Sequence, residues 1–387
     1  MQQMHFDFRD IFRSTRLALS LQRIWIQFVG LFFGYLGYLV LTYVSFITSG
    51  IGLSVGWNKY GLLPCLISES PNWYSMIIYF IGVFWLVAVY LVTATAVSRA
   101  TYMLAKGNNF YTWKESFSFA VKKAGAILMS PIALAIIIGL FVLGGAVVGW
   151  ISKIPYVGEL GLTIFTVIWF VASLVIVFLA LVFGVSLLLA PAIIATTDDD
   201  AFEAVFQSFS TLWSQPWRLV LYEMLADAMA IIGFVVLAFL SKKAFIVMDR
   251  IFSSTMGADF MNISAHGMYL LSVWVAHSID WINSICPDMS NAIYFSREFD
   301  PLALPGYQIA ASYIFAIMIL LIGSFIVSYG LASFNVGNTL TYLILRKKKD
   351  DENLLERKDR EEEEEDEEDE EESSESDEKD ENKDEEK

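Results

Sequence analysis

Five stretches of this chain run uncharged for longer than a helix needs to cross a bilayer: Ile24 to Gly56, Ser75 to Ser98, Ala124 to Ser152, Gly161 to Thr197 and Gly306 to Leu345. About 20 consecutive apolar residues suffice for the hydrocarbon core, and in lipid a helix is the simplest way to satisfy every backbone polar group. A soluble core rarely buries so long a run. The hydrophobic fraction of 56% and the mean hydropathy of +0.54 agree, since ordinary globular chains hold roughly 45–50% apolar residues. The expected class is an all-α polytopic membrane protein.

Charge is sharply segregated. Of the 42 acidic residues 25 lie from Asp350 onward, against 6 of the 26 basic ones, so the rest of the chain is slightly basic although the net charge is -16. We read six spans, Ile24–Thr48, Met76–Val97, Ala124–Trp150, Leu162–Ala190, Leu219–Leu240 and Tyr307–Phe334. Fourteen Lys and Arg residues then fall on the side of the N-terminus, from Arg9, Arg13, Arg16 and Arg23 to Arg346–Lys349, and six on the other. The positive-inside rule puts both termini in the cytoplasm. The first 23 residues are too charged for a signal peptide.

The span pattern repeats. Each odd-numbered span follows an amphipathic cytoplasmic segment, and these segments share letters: Phe12-Arg13-Ser14 with Phe206-Gln207-Ser208, and Ser116-Phe117-Ser118 with Ser208-Phe209-Ser210. Ser14, Ser116 and Ser208 stand 102 and 92 residues apart. Such short matches also arise by chance in a chain rich in Phe and Ser. Three units of amphipathic helix plus hairpin, 1–105, 106–197 and 198–349, would nevertheless fill a membrane domain over 1–349.

The third segment has the clearest pattern. Phe202, Phe206, Phe209, Trp213 and Trp217 recur at helical spacing and make one aromatic face, while Asp200 and Glu203 suit the helix start. Pro216 should end that helix. The face serves either as a docking surface for a partner or as plain packing at the membrane surface. Ser208-Phe209-Ser210 through Pro216-Trp217-Arg218, leading into a span, resembles an element of bacterial multi-pass domains of unknown function, including the membrane-embedded part of some glycerophosphodiester phosphodiesterases. The resemblance implies an architecture and no activity, because a catalytic barrel of about 250 residues has no room here. It also points to a bacterial inner (cytoplasmic) membrane.

Glu223 and Asp227 are the acidic residues that fall well inside an expected span, four apart and so on one helix face, beyond Arg218. Ionisable groups at that depth often mark ion or substrate pathways. A span that starts later would instead put Glu223 at the headgroups, paired with Arg218. Cys65 and Cys286 both fall outside on this topology and could form a disulfide if that compartment is oxidising. The external loop 241–305 contains Met268–Trp274, too short for a seventh span and better suited to a re-entrant or interfacial segment. Its His266, His277, Asp280 and Asp288 fit no metal-site spacing. Neither a metal nor another cofactor is expected.

The tail, 350–387, includes twelve consecutive acidic residues from Glu361 to Glu372. It has almost nothing to bury and is expected to be disordered, either solvating the protein or capturing a basic partner. No phosphate loop, nucleophile elbow or paired-histidine motif occurs, so an enzyme is not expected. The partners expected are the bilayer and a protein, with no nucleic acid. A scaffold or accessory subunit leads, and an ion- or proton-coupled carrier or channel using Glu223 and Asp227 is the alternative.

Overall fold

The computed structural model describes residues 4–67, 71–285 and 304–357. Among these the chain is helical, with no strand. Six helices are long and apolar enough to cross a membrane: α3 (Leu21–Thr48), α5 (Trp73–Lys106), α7 (Ala124–Ile151), α9 (Thr166–Thr197), α11 (Pro216–Met256) and α13 (Gly306–Asp350). This is an integral membrane protein. The other described helices are α1 (Phe8–Ile11), α2 (Ser14–Ala18), α4 (Leu53–Tyr60), α6 (Trp113–Lys122), α8 (Val157–Ile164), α10 (Ala201–Ser214) and α12 (Ala258–Ile285).

Five of the expected spans fall inside these long helices. The fourth does not, because Leu162–Ile164 belong to α8 and the chain breaks helical geometry at Phe165 before α9 begins. An unbroken apolar run marks depth in lipid and does not show where one helix gives way to the next. The expected external loop from Ser241 is largely helical where it is described. Lys242, Lys243, Asp249 and Arg250 end the apolar run, yet α11 continues through them to Met256. These charges end the apolar run without ending the helix.

A succession of amphipathic helix, rising helix and returning helix occurs three times: α1–α2, α3 and α5; α6, α7 and α9; α10, α11 and α13. Each amphipathic unit packs on the hairpin of another set. The α1–α2 pair lies on α11 and α13, α6 on α5 and α3, and α10 on α9 and α7. The contacts therefore close a ring. Ser14, Ser116 and Ser208 are all fully buried in it. The three returning helices end alike, each followed by a residue with positive φ: Gly107 (102°), Asp198 (57°) and Asp351 (56°).

The core sits at one end of the bundle, the base, where residues near 4 and 357 both lie. Here the returning helices meet one another and are buried on all sides over Thr93–Met103, Leu189–Thr197 and Asn335–Leu345. A helix buried all round belongs to an interior. Lys123 at the start of α7 pairs with Asp198 at the end of α9 (2.5 Å), and Tyr102 donates to Leu354 O (2.8 Å).

Toward the opposite end, the tip, the hairpins differ. There α3 and α5 still pack closely at Gly82, where an added Cβ would fall 3.1 Å from Leu41 Cβ. By contrast α7 has no buried residue beyond Leu134, and α9 has none before Val182 among residues whose burial is described. At the tip of α13, Asp259 and Trp274 of α12 both meet it between Gln308 and Tyr313. These two residues lie roughly 22 Å apart along a helix, so α12 crosses α13 rather than running beside it. It also reaches the loop after α4, where Leu62 N donates to Trp274 O (2.9 Å).

Candidate functional site

The base contains a chain of polar side chains that ties four long helices together. Asn335 of α13 donates to Gln27 Oε1 of α3 (2.9 Å) and accepts from the Tyr90 hydroxyl of α5 (3.2 Å). One turn on, Asn338 donates to Glu223 Oε2 of α11 (3.1 Å) and to Phe334 O (3.0 Å) when its amide nitrogen faces α11. Gln27, Asn335 and Asn338 are buried. The approach of α11 to α13 is close because Gly337 lies against Ala226, with 2.8 Å between their Cβ positions if Gly337 had one. Small residues at a helix crossing let such short polar side chains reach across.

Glu223 and Asp227 share the face of α11 that looks into this cluster. Glu223 is only 9% exposed, whereas Asp227 is partly exposed. In the orientation that turns its amide nitrogen to α11, Asn338 serves one oxygen of Glu223. The other, Oε1, and Asp227 Oδ1 are buried with no hydrogen-bond partner among the described residues. Arg218 is not brought to them: it is exposed, and no ion pair joins it to Glu223 among the described residues. Lys348 is held by Tyr222 (2.9 Å) and Asp7 (3.0 Å). Two enclosed or cleft-like spaces, one under α1–α2 beside Met4 and Leu340 and one open beside Asp200 and Arg346, are lined by neither carboxylate.

A second buried polar group lies nearby. Arg99 of α5 is fully buried, its guanidinium over the Phe119 ring of α6 (4.3 Å) and donating to Ala195 O of α9 (3.1 Å). It joins elements of the first two sets at the base.

On α10, Asp200 caps the helix by accepting from Glu203 N (3.0 Å), and the helix ends at Ser214, before Pro216 opens α11. Its small and polar side, Ala204, Gln207, Ser208 and Thr211, is the buried one. Phe202, Phe206, Phe209, Trp213 and Trp217 are exposed. Phe178 of α9 stands edge-on to Phe209 (5.3 Å) and Trp213 (5.6 Å), which makes the aromatic face continuous with the apolar flank of α9.

No family model, curated protein or solved structure matches the chain.

Cys65 lies in the loop after α4, its Sγ 3.8 Å from the Tyr79 hydroxyl. Cys286 is outside the described residues, and so is the proposed bridge; Asp288 and the acidic run Glu361–Glu372 also lie outside them. Sequence reasoning found the two carboxylates but missed Tyr90, Asn335 and Asn338. The sixth span was drawn to end at Phe334, one residue before the pair begins. Two asparagines three apart in an uncharged run were the available signal, since amides are costly in lipid unless another helix meets them.

Proposed function

We propose that this protein is a non-catalytic membrane scaffold or accessory subunit of a bacterial inner membrane, with its base and both termini in the cytoplasm. The observation that carries this reading is the second hairpin. Between Leu134 and Val182 every residue of α7 and α9 whose burial is described is half-buried or exposed in its own chain, although the first and third hairpins are packed along their length. Such a surface suits another membrane protein. The aromatic side of α10 adds an anchor at the bilayer surface, and the acidic tail offers a charged tether to a basic partner. The likeness of Ser208–Arg218 to bacterial multi-pass domains belongs to this reading as architecture only.

The test is a photo-crosslinking residue at Val142 on the uncovered hairpin, compared with one at Phe33 on the packed hairpin, both in native membranes. Discrete protein adducts at Val142 that are absent at Phe33 are expected. Lipid adducts alone at both sites would overturn the reading. A second reading, an ion-coupled carrier, draws on the unpartnered oxygens of Glu223 and Asp227. It requires that flux in sealed vesicles be abolished by Glu223→Gln with Asp227→Asn.

A further inference from the structure

The Glu223–Asp227 pair poses a charge-balance problem. Two carboxylates stand one helical turn apart in the base of the bundle, one of them only 9% exposed. No basic side chain pairs with either among the described residues, since Arg218 is exposed and Lys348 is engaged by Asp7 and Tyr222. Each carboxylate keeps a buried oxygen without a donor. The groups that face them are neutral: the Asn338 amide of α13 toward Glu223 and the Tyr90 hydroxyl of α5 toward Asp227. Buried carboxylates persist when they are paired, bind a metal or lose their charge. Charge at membrane depth is tolerated only where protein, water or an ion meets it.

The neighbouring hydrogen bonds favour an ion. With its amide nitrogen facing α11, Asn338 donates to Glu223 Oε2 and leaves Oε1 as a buried acceptor without a partner among the described residues. On the next turn Asp227 Oδ1 is a second buried acceptor without a partner among the described residues, on a residue that is itself partly exposed. Oxygen donors of this kind suit hard cations; Mg²⁺ in particular is commonly held by one or two carboxylates with waters filling the remaining positions. No third acid, His or Cys joins the group among the described residues, so soft metals are poorly served.

We infer that Glu223 Oε1 and Asp227 Oδ1 form a site for one hard, oxygen-ligated cation, which neutralises the base and holds α11 against α13. The inference is independent of the scaffold reading, because a bound ion stabilises the bundle whether or not a partner docks or anything crosses.

The test uses the full chain, purified in detergent and stripped of metal. Its Tm is measured against increasing MgCl₂, CaCl₂ or NaCl, with choline chloride at matched ionic strength as the reference. At least one of the three salts should give a rise that saturates, because binding to the folded state stabilises by mass action. Elemental analysis after dialysis should then find about one such ion per chain, as expected for a single site. Glu223→Gln with Asp227→Asn should abolish the saturating rise. Should the double variant fail to fold, Asp227→Asn alone must weaken the response at least tenfold in midpoint concentration. If no salt exceeds choline in the parent, or the variants respond as the parent does, the pair is balanced by protons alone and the inference fails.

Discussion

The first and second hairpins have the same plan and nearly opposite packing. In the first, α3 and α5 stay in contact along their length, with Gly30 filled by Thr93 and Gly34 by Val89. In the second, Gly139, Gly144, Gly145 and Gly149 of α7 meet nothing within 4 Å. Both are apolar, and lipid solvates either surface equally well. What separates them is close helix–helix contact, the main source of cohesion once a helix is already in the membrane. The first hairpin is therefore a structural unit, whereas the tip of the second is surface.

The largest effect is expected where that cohesion is densest. Gly30→Leu must push Thr93 and α5 away, so it should destabilise by about 1–3 kcal/mol or more, as overpacked cores do. Thermal unfolding of the purified protein would show it as a clearly lower Tm. An unchanged Tm would mean that α3 and α5 do not approach as closely as described, and the contrast between the hairpins would collapse.

A smaller loss is expected from the polar chain that fastens the first hairpin to the third. Asn335→Ala removes the donor to Gln27 and the acceptor of Tyr90. Interhelical hydrogen bonds in membranes are worth about 0.6 kcal/mol on average, with a maximum near 1.7. A loss in that range is expected, and Gln27→Leu in the same background should restore part of it by removing the stranded amide. Without rescue, the two side chains are not coupled.

How far the sequence foretold this arrangement differs between its parts. Local hydropathy pointed to all six long apolar helices, five of them through uncharged runs and α11 despite Glu223 and Asp227. The cap at Asp200 and the break before Pro216 were equally local and equally legible. Ser14, Ser116 and Ser208 pointed to three related positions, and all three are fully buried. The polar chain was not legible as a unit, since Gln27, Tyr90, Asn335 and Glu223 meet only through the rotation and depth of four helices. Arg99 was counted simply as a positive charge near the membrane. It is buried because α6 folds back over it and places Phe119 on its guanidinium, a contact between segments that no local pattern encodes.

Weaker still should be the clasp at the foot of the second hairpin. Lys123 and Asp198 are 26% and 10% exposed, and ion pairs near a surface contribute about 0–1 kcal/mol. Lys123→Ala should lower Tm slightly, and 1 M salt should shrink the difference, because the Debye length falls to about 3 Å. A large loss that salt does not touch would show that α7 and α9 depend on this contact, so the second hairpin would be less self-sufficient than the packing at its base suggests.

The smallest effect on the isolated chain sharpens the comparison most. Gly144→Leu is the same kind of change as Gly30→Leu, placed where an added side chain meets nothing. No clash opposes it, and leucine favours a helix over glycine by up to about 1 kcal/mol, so Tm in detergent should hold or rise slightly. In native membranes the outcome should differ. If a partner packs on α7, the added bulk occupies its place, and the crosslinks expected at Val142 should fall while those at Phe33 stay unchanged. A Tm loss as large as that of Gly30→Leu would mean that the second hairpin is covered by its own chain. Unchanged Tm with unchanged crosslinks would leave Gly144 outside the contact and move the search to the flank formed by α9 and the aromatic side of α10.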